Sequence, residues 1–214
     1  MITSNIYIFK ITPYRESSNM YQAVAKEYGK ITLIHKGIRA NKKGNALELF
    51  TPYKVIWSGK GNIKFLRESE SLDIINLTNS HNVVGMYYNE LMFYLTKNDY
   101  YVEGLYEHYD ISLRSLTKSK NFLEEINNYE IGLLILTGHY LIFDIDCNNN
   151  VVDKNKKYSY IPDVGPKISS DVGEFFLGET LLAMSGNLPY TEITLKESRV
   201  LMKRLIDYYI QPKN

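Results

Sequence analysis

The chain has a single cysteine, Cys147, among its 214 residues, and it has no apolar run as long as a membrane-spanning helix. One cysteine excludes an intrachain disulfide and a zinc site built from several cysteines, so we expect no disulfide, no metal and no other cofactor. The longest apolar candidate, residues 131–145, is interrupted by polar side chains and falls short of the roughly 20 residues that span a bilayer. The first residues also lack the basic segment of a secretory signal. These absences predict a cytoplasmic protein without a membrane anchor.

Sequence patterns that carry catalysis are missing as well. The four histidines are scattered without metal-ligand spacing, and no phosphate-binding glycine loop is present. The short segment 59–61 fits a hairpin turn, and the neighbouring Glu124 and Glu125 diverge on a helix, as on a solvated face. We therefore predict that the protein is not an enzyme.

Positive charge is concentrated at the start of the chain. Residues 1–70 contain twelve lysines and arginines against five acidic residues, whereas residues 71–214 contain thirteen against nineteen. The formal net charge of +1 therefore conceals a basic part and an acidic part. A basic surface attracts polyanions at long range, and the commonest polyanion in a cell is nucleic acid. The pattern predicts a nucleic-acid-binding segment at the start of the chain.

The basic part has the pattern of a small β-barrel. Short blocks rich in β-formers are separated by Gly, Asn and Pro, and they occur at residues 6–11, 30–36, 53–57 and 62–66. Residues 16–28 are ambiguous between helix and strand by periodicity alone. Four or five short strands in about seventy residues favour a barrel over a βαβ unit.

The period changes to that of helices from about residue 82. Helical spacing predicts helices near residues 82–95, 102–116, 121–137 and 196–210, with an irregular connection at 144–171. We therefore predict an α+β protein with a barrel domain over residues 1–78 and a helical domain over residues 79–214.

Cations and aromatic side chains alternate through the predicted barrel. Eight lysines and arginines lie between Lys30 and Lys64, opposed only by Glu48, and rings such as Tyr14 and Tyr53 are interspersed. A cationic groove with exposed rings is how barrels bind single strands without reading their sequence. The alternative is that the lysines only solvate the sheet while the rings fill the core.

Several segments of the chain resemble one family in the same order. They are residues 14–17, 27–39, 49–53, 58–61 and 66–70, followed more sparsely by 88–91, 129–134 and 198–201. The pattern is similar to that of RecO, a family of bacterial DNA repair proteins. No single segment is diagnostic, but the order of all of them is.

The resemblance implies a fold and a function. RecO proteins have an N-terminal OB-fold barrel and a helical C-terminal domain. They bind single- and double-stranded DNA, anneal complementary strands, and act with RecR in the RecFOR pathway to load RecA onto DNA coated by the protein SSB. They are not enzymes. Some members hold zinc through four cysteines, which this chain lacks.

The predicted DNA-binding residues combine cations for phosphates with rings for bases. They are Lys30, Lys36, Arg39, Lys42, Lys43, Lys60, Lys64 and Arg67, with Tyr14 and Tyr53 as the stacking rings. For the acidic tail of SSB, the predicted cations are Arg114, Lys118 and Lys120, beside an apolar slot between the second and third helices. We expect this contact to be weak, because Asn127 and Asn128 stand where some relatives have arginine.

Two other functions fit parts of the pattern. One is a generic single-strand coat protein with an OB fold, although the acidic helical half favours an adaptor. The other is an unrecognised nuclease or phosphotransferase, which would require a metal-binding carboxylate cluster.

Overall fold

The computed structural model describes residues 1–38, 46–59, 61–169 and 175–211. The chain forms two compact units, Met1–Lys120 and Asn121–Asn214. The first unit contains the strands β1 (Ile2–Tyr14), β2 (Ser18–Ala25), β3 (Gly29–His35), β4 (Pro52–Ser58) and β5 (Ile63–Ser71), followed by the helices α1 (Asn79–Leu95) and α2 (Leu105–Lys118). The second contains α3 (Phe122–Leu136), β6 (Lys157–Ile161), β7 (Gly165–Ile168), β8 (Phe176–Leu177), α4 (Gly178–Met184) and α5 (Glu192–Ile210).

The five strands of the first unit close into a barrel in the order β1-β2-β3-β5-β4. The long strand β1 pairs with β4 through its first half and with β2 through its second half, and the register shifts between Ile8 and Lys10. Such a bulge bends the strand, so that β1 can pair with both neighbouring strands. The segment left ambiguous by the sequence is strand β2, and β4 and β5 pair antiparallel, as predicted for a hairpin.

Alternating side chains fill the barrel. Ile31 and Leu33 of β3 and Trp57 of β4 are fully buried in one apolar cluster. Because side chains alternate between the two faces of a strand, their neighbours on β3 face outward, which is the arrangement that the sequence predicts. The predicted α+β class with an N-terminal OB-type barrel is confirmed.

The first two helices belong to the barrel unit. Tyr7, on the outer face of β1, is fully buried and packs against the rings of Tyr106 and Tyr109 at centroid distances of 5.3 and 5.2 Å. Its hydroxyl donates to Asp110 of α2, and the Tyr109 hydroxyl donates to α1. The chain divides into its compact units between residues 120 and 121, whereas the predicted domain boundary follows residue 78.

The second unit combines α3 and α5 with a three-stranded sheet in the order β7-β6-β8. The predicted irregular connection at 144–171 contains β6 and β7, which pair antiparallel. Leu133 of α3 and Leu205 of α5 are buried, and Thr191 caps α5 reciprocally with Thr194. None of the helices in the described part of the chain is long and apolar enough to cross a bilayer.

Candidate nucleic-acid interface

A groove lies on the outer surface of the barrel, between the β1–β2 hairpin and the ends of β3 and β5. Its volume is about 420 Å³. Its lining combines four aromatic or apolar side chains with two cations: Tyr14, Ile34, Ile63 and Phe65, with Arg15 and Lys36.

The parallel pairing of β3 with β5 positions the floor of the groove. Ile34 is the register partner of Phe65, and both face away from the barrel core, since Leu33 and Leu66 point into it. Lys36 follows the end of β3 and is exposed. Gly37 has a φ of 72°, in the left-handed region that favours glycine, and among the described residues other than its chain neighbours no atom lies within 4 Å of where its β-carbon would stand. As far as the described residues go, the backbone wall at Gly37 is thus open to a ligand.

Each cation of the groove lies near an aromatic ring. The Lys36 ammonium is 4.4 Å from the centroid of Phe65, and the Arg15 guanidinium carbon is 5.2 Å from the centroid of Tyr14. Arg15 sits in the hairpin turn with a φ of 52°. Contacts of this kind are weak at exposed sites, so the ring contact alone does not fix the position of Lys36.

A second, adjoining depression of about 360 Å³ shares Lys36 and Phe65 and adds Arg67 and His35. Arg67 is exposed, and its Nε donates to the Ser58 hydroxyl at 2.9 Å. Burial lowers the pKa of His35, so this ring is uncharged at neutral pH. The positive charge here therefore comes from lysine and arginine.

We call the set Tyr14, Arg15, Lys36, Phe65 and Arg67 the basic groove. It holds three exposed cations that can neutralise phosphates and two partly buried rings that can stack on bases. This is the combination with which OB-type barrels bind single strands.

Lys30 lies outside the basic groove, although it was predicted as a phosphate contact. It is 5 % exposed, and its ammonium donates to the carbonyl oxygens of Phe93 (2.7 Å) and Thr96 (3.1 Å) at the end of α1. Burial, with a smaller contribution from Lys10, lowers its pKa to about 8. The end of α1 covers this position, so Lys30 is not one of the proposed phosphate contacts.

Lys64 and Tyr53 are likewise occupied within the protein. Lys64 is buried and forms an ion pair with Asp99. Tyr53 is part of the barrel core, and its hydroxyl accepts a hydrogen bond from the backbone N–H of Glu48 at 3.0 Å. Neither side chain can reach a DNA strand without losing these contacts, so neither is proposed as a DNA contact.

The other predicted residues divide into two groups. Lys36, Arg67 and Tyr14 are brought together in the basic groove. The remaining predicted cations lie outside the described residues: Arg39, Lys42, Lys43 and Lys60.

Of the cations predicted for the acidic tail, Arg114 is engaged by two carboxylates. It donates to Asp73 at 2.8 Å and to Asp110 at 2.9 Å, and the hydrogen bond to Asp73 is the main cause that raises its pKa above the usual value. Lys118 and Lys120 are exposed. The helices proposed to form the slot, α2 and α3, belong to different compact units.

Asn127 has a structural role in the second unit. It is fully buried on α3, where its amide donates to the Ser198 hydroxyl at 2.7 Å and its carbonyl accepts from Arg199 at 2.7 Å. Arg199 also forms a two-pronged ion pair with the fully buried Glu130. This network satisfies a buried carboxylate between α3 and α5.

The sequence prediction missed Arg15 and Phe65 as site residues. Leu66 points into the core, so alternation along β5 places Phe65 on the outer face, and the chain reversal after Tyr14 places Arg15 at a hairpin tip. Both signals are present in the sequence. Among the described residues, no group of three or more His, Cys, Asp or Glu is arranged to hold a metal ion.

The comparisons with known proteins agree with this geometry. The sequence model of the family "Recombination protein O N terminal" matches residues 1–75, which span the barrel. Proteins named "DNA repair protein RecO" are similar over nearly the whole chain. The one from Methylococcus capsulatus is 28% identical over 98% of this chain and 88% of its own length. Those from Polynucleobacter necessarius and Vibrio cholerae are 30% identical over 96% of this chain and over 89% and 86% of their own lengths.

Proposed function

The chain belongs to the RecO family of DNA repair proteins, and from this premise we propose that it acts by binding and positioning DNA, with the basic groove as its contact surface. The observation that carries the proposal is the clustering of Arg15, Lys36 and Arg67 around the rings of Tyr14 and Phe65. Phosphate contacts supply most of the affinity of such a surface, and stacked bases add to it without sequence readout.

The proposed activity includes binding to single- and double-stranded DNA and the annealing of complementary strands. Exposed cations neutralise phosphates in either form of DNA, so the groove supports both. Arg39, Lys42, Lys43 and Lys60 stay in the proposed set, since they flank the groove in sequence. As a mediator, the protein would act with RecR to load RecA onto DNA coated by SSB.

The contact with the acidic tail of SSB is proposed at Lys118 and Lys120, without Arg114. A carboxylate is bound well by a cation whose donors are not already used. Arg114 has its guanidinium between Asp73 and Asp110, whereas Lys118 and Lys120 are exposed. We expect micromolar or weaker binding, since only lysines remain for the tail.

The proposal is tested by the salt dependence of binding to a labelled single strand. With about five phosphate contacts, log K should fall with log[salt] at a slope near −3.5, from about −0.7 per contact. Replacing Lys36 and Arg67 by glutamate should weaken binding and flatten the slope by about 1.4, because two contacts are lost.

The matched control is Lys54→Glu. Lys54 is an exposed lysine on β4 of the same barrel, paired in register with Asn5 and Glu70 and away from the basic groove. The control should leave the slope unchanged. The double variant changes the net charge by −4 and the control by −2, so a loss in log K for Lys54→Glu half as large as that of the double variant would mean that net charge, and not the groove, binds the DNA.

A further inference from the structure

The basic groove has an apolar floor that includes an aromatic ring. Phe65 is half-buried between the aliphatic side chains of Ile34 and Ile63, and Ile63 is 44% exposed. The volume of about 420 Å³ lies within the roughly 300–1,000 Å³ typical of sites for small organic molecules. A surface that only tracks a phosphate backbone needs no such floor.

We infer that this floor is a pocket for a single unpaired nucleobase, which stacks on Phe65 while Lys36 and Arg15 contact the phosphates on either side. The inference rests on the proposed function and adds a ligand class to it. A base within a duplex is paired at its edge and stacked on both faces, so it cannot lie on the Phe65 ring. The pocket therefore selects single-stranded DNA, whereas the surrounding cations bind either form.

Lys36 is placed to change partners when a base enters. Its ammonium lies over the Phe65 ring, which is the surface that the base would cover. Stacking of a base on a ring is more favourable in free energy than the contact of an exposed ammonium with the same ring. The base therefore displaces Lys36 from Phe65. The released ammonium is on a flexible stem beside the bound nucleotide, where its phosphate is within reach.

The open wall at Gly37 supports the same geometry. Apart from its chain neighbours, no described residue has an atom within 4 Å of where a β-carbon would stand at this position, and the φ of 72° is one that glycine adopts without strain. The sugar and phosphate of a bound nucleotide can approach the backbone there. Tyr14, at the end of β1, also lines the groove.

The test compares a natural single strand with an abasic strand of the same length, since both have the same phosphates. Phe65→Leu keeps an apolar side chain but removes the ring. We expect it to weaken binding of the natural strand by about 5- to 150-fold, the range for one stacked base, and to leave abasic-strand binding unchanged. Phe65→Tyr keeps the ring and should bind like the original protein. The salt slope should be the same for all three proteins, because no phosphate contact is removed.

The outcomes separate this inference from the proposed function. Equal binding of the natural strand by Phe65→Leu and the original protein overturns the base pocket, while a salt slope near −3.5 would still support the groove. Equal weakening on natural and abasic strands also overturns the pocket, since the ring would then act only on the shape of the barrel. Failure of the original protein to bind any single strand would overturn both. Thermal unfolding of Phe65→Leu at the temperature of the original protein establishes that the variant is folded.

Discussion

At the scale of single residues, lysines from one strand region have opposite surroundings. Lys30 belongs to the outward-facing row of β3 and is covered by the end of α1, whereas Lys36 follows the end of the same strand and is open to solvent. The covered ammonium is held by two carbonyl oxygens at a helix C-terminus, where the helix dipole favours a cation. Burial still makes its charged form costly, and the pKa falls to about 8.

The lowered pKa of Lys30 predicts that the protein becomes more stable as pH rises from 7.5 to 9.5. In this window the unfolded chain keeps the proton, with a pKa of 10.5, while the folded protein loses it, so the free energy of unfolding increases with pH. The increase from this residue should be roughly 1–2 kcal/mol. Urea unfolding of the original protein and of Lys30→Met at both pH values measures it, and the increase should be absent in the variant.

Lys54→Met is the control for the pH experiment, since Lys54 is exposed on the same barrel. Its unfolding should show the same pH dependence as the original protein. Burial raises the pKa of six tyrosines, which therefore lower the free energy of unfolding as the pH approaches 10, and they do so equally in all three proteins: Tyr7, Tyr106, Tyr109, Tyr160, Tyr190 and Tyr209. The contribution of Lys30 is the difference between the original protein and Lys30→Met. The same pH dependence for the original protein and for Lys30→Met would show that the two carbonyl bonds keep Lys30 charged through this window.

At the scale of elements, the second unit depends on the packing of α3 against α5. Leu133 is fully buried in α3, whereas Ile135, two residues later, is 51% exposed. Leu133→Ala should lower the free energy of unfolding by about 2–5 kcal/mol, because it leaves a cavity in a packed interface. Ile135→Ala changes a similar side chain on the open face and should cost no more than about 0.5 kcal/mol.

Urea unfolding of the two α3 variants checks this prediction. Similar losses for both would mean that the face of α3 toward α5 is not the one that stabilises the unit. Added chelator should leave the unfolding midpoint of the original protein unchanged, since we expect no metal to contribute.

The positions of strands and helices were more predictable from the sequence than the contacts that their side chains make in the folded protein. Periods of two and 3.6 residues located four barrel strands and the main helices, because one face of each is buried. The sheet of β6 and β7 was missed, since its strands are short and flanked by Asn, Lys and Pro. The alternation of side chains along β3 predicts that Lys30 lies on the outer face of the strand. That the end of α1 covers this side chain follows only from the tertiary structure. For the same reason the sequence grouped Lys30 and Lys64 with Lys36.

At the scale of the whole molecule, the two units have opposite net charges. Met1–Lys120 contains sixteen lysines and arginines against eleven acidic residues, and Asn121–Asn214 contains nine against thirteen. A polyanion is therefore drawn to the barrel unit and repelled by the other. Because the attraction is local to one unit, the near-zero charge of the chain is compatible with tight DNA binding.

The last prediction concerns annealing, which tests the mediator against the alternative of a coat protein. Two complementary strands repel each other through their phosphates, and a protein that neutralises phosphates without covering all the bases lowers this barrier. We expect the protein to accelerate annealing of complementary oligonucleotides without any nucleotide, measured by the quenching of paired end labels. Annealing with the Lys36→Glu, Arg67→Glu variant should be at least about tenfold slower, because the electrostatic attraction that brings the strands together is lost, whereas Lys54→Glu should match the original protein.

A coat protein would bind the strands and slow their annealing, because its stacked rings would withhold the bases from pairing. Slower annealing at saturating protein would thus contradict the proposed mediator role while leaving the basic groove as a DNA-binding surface.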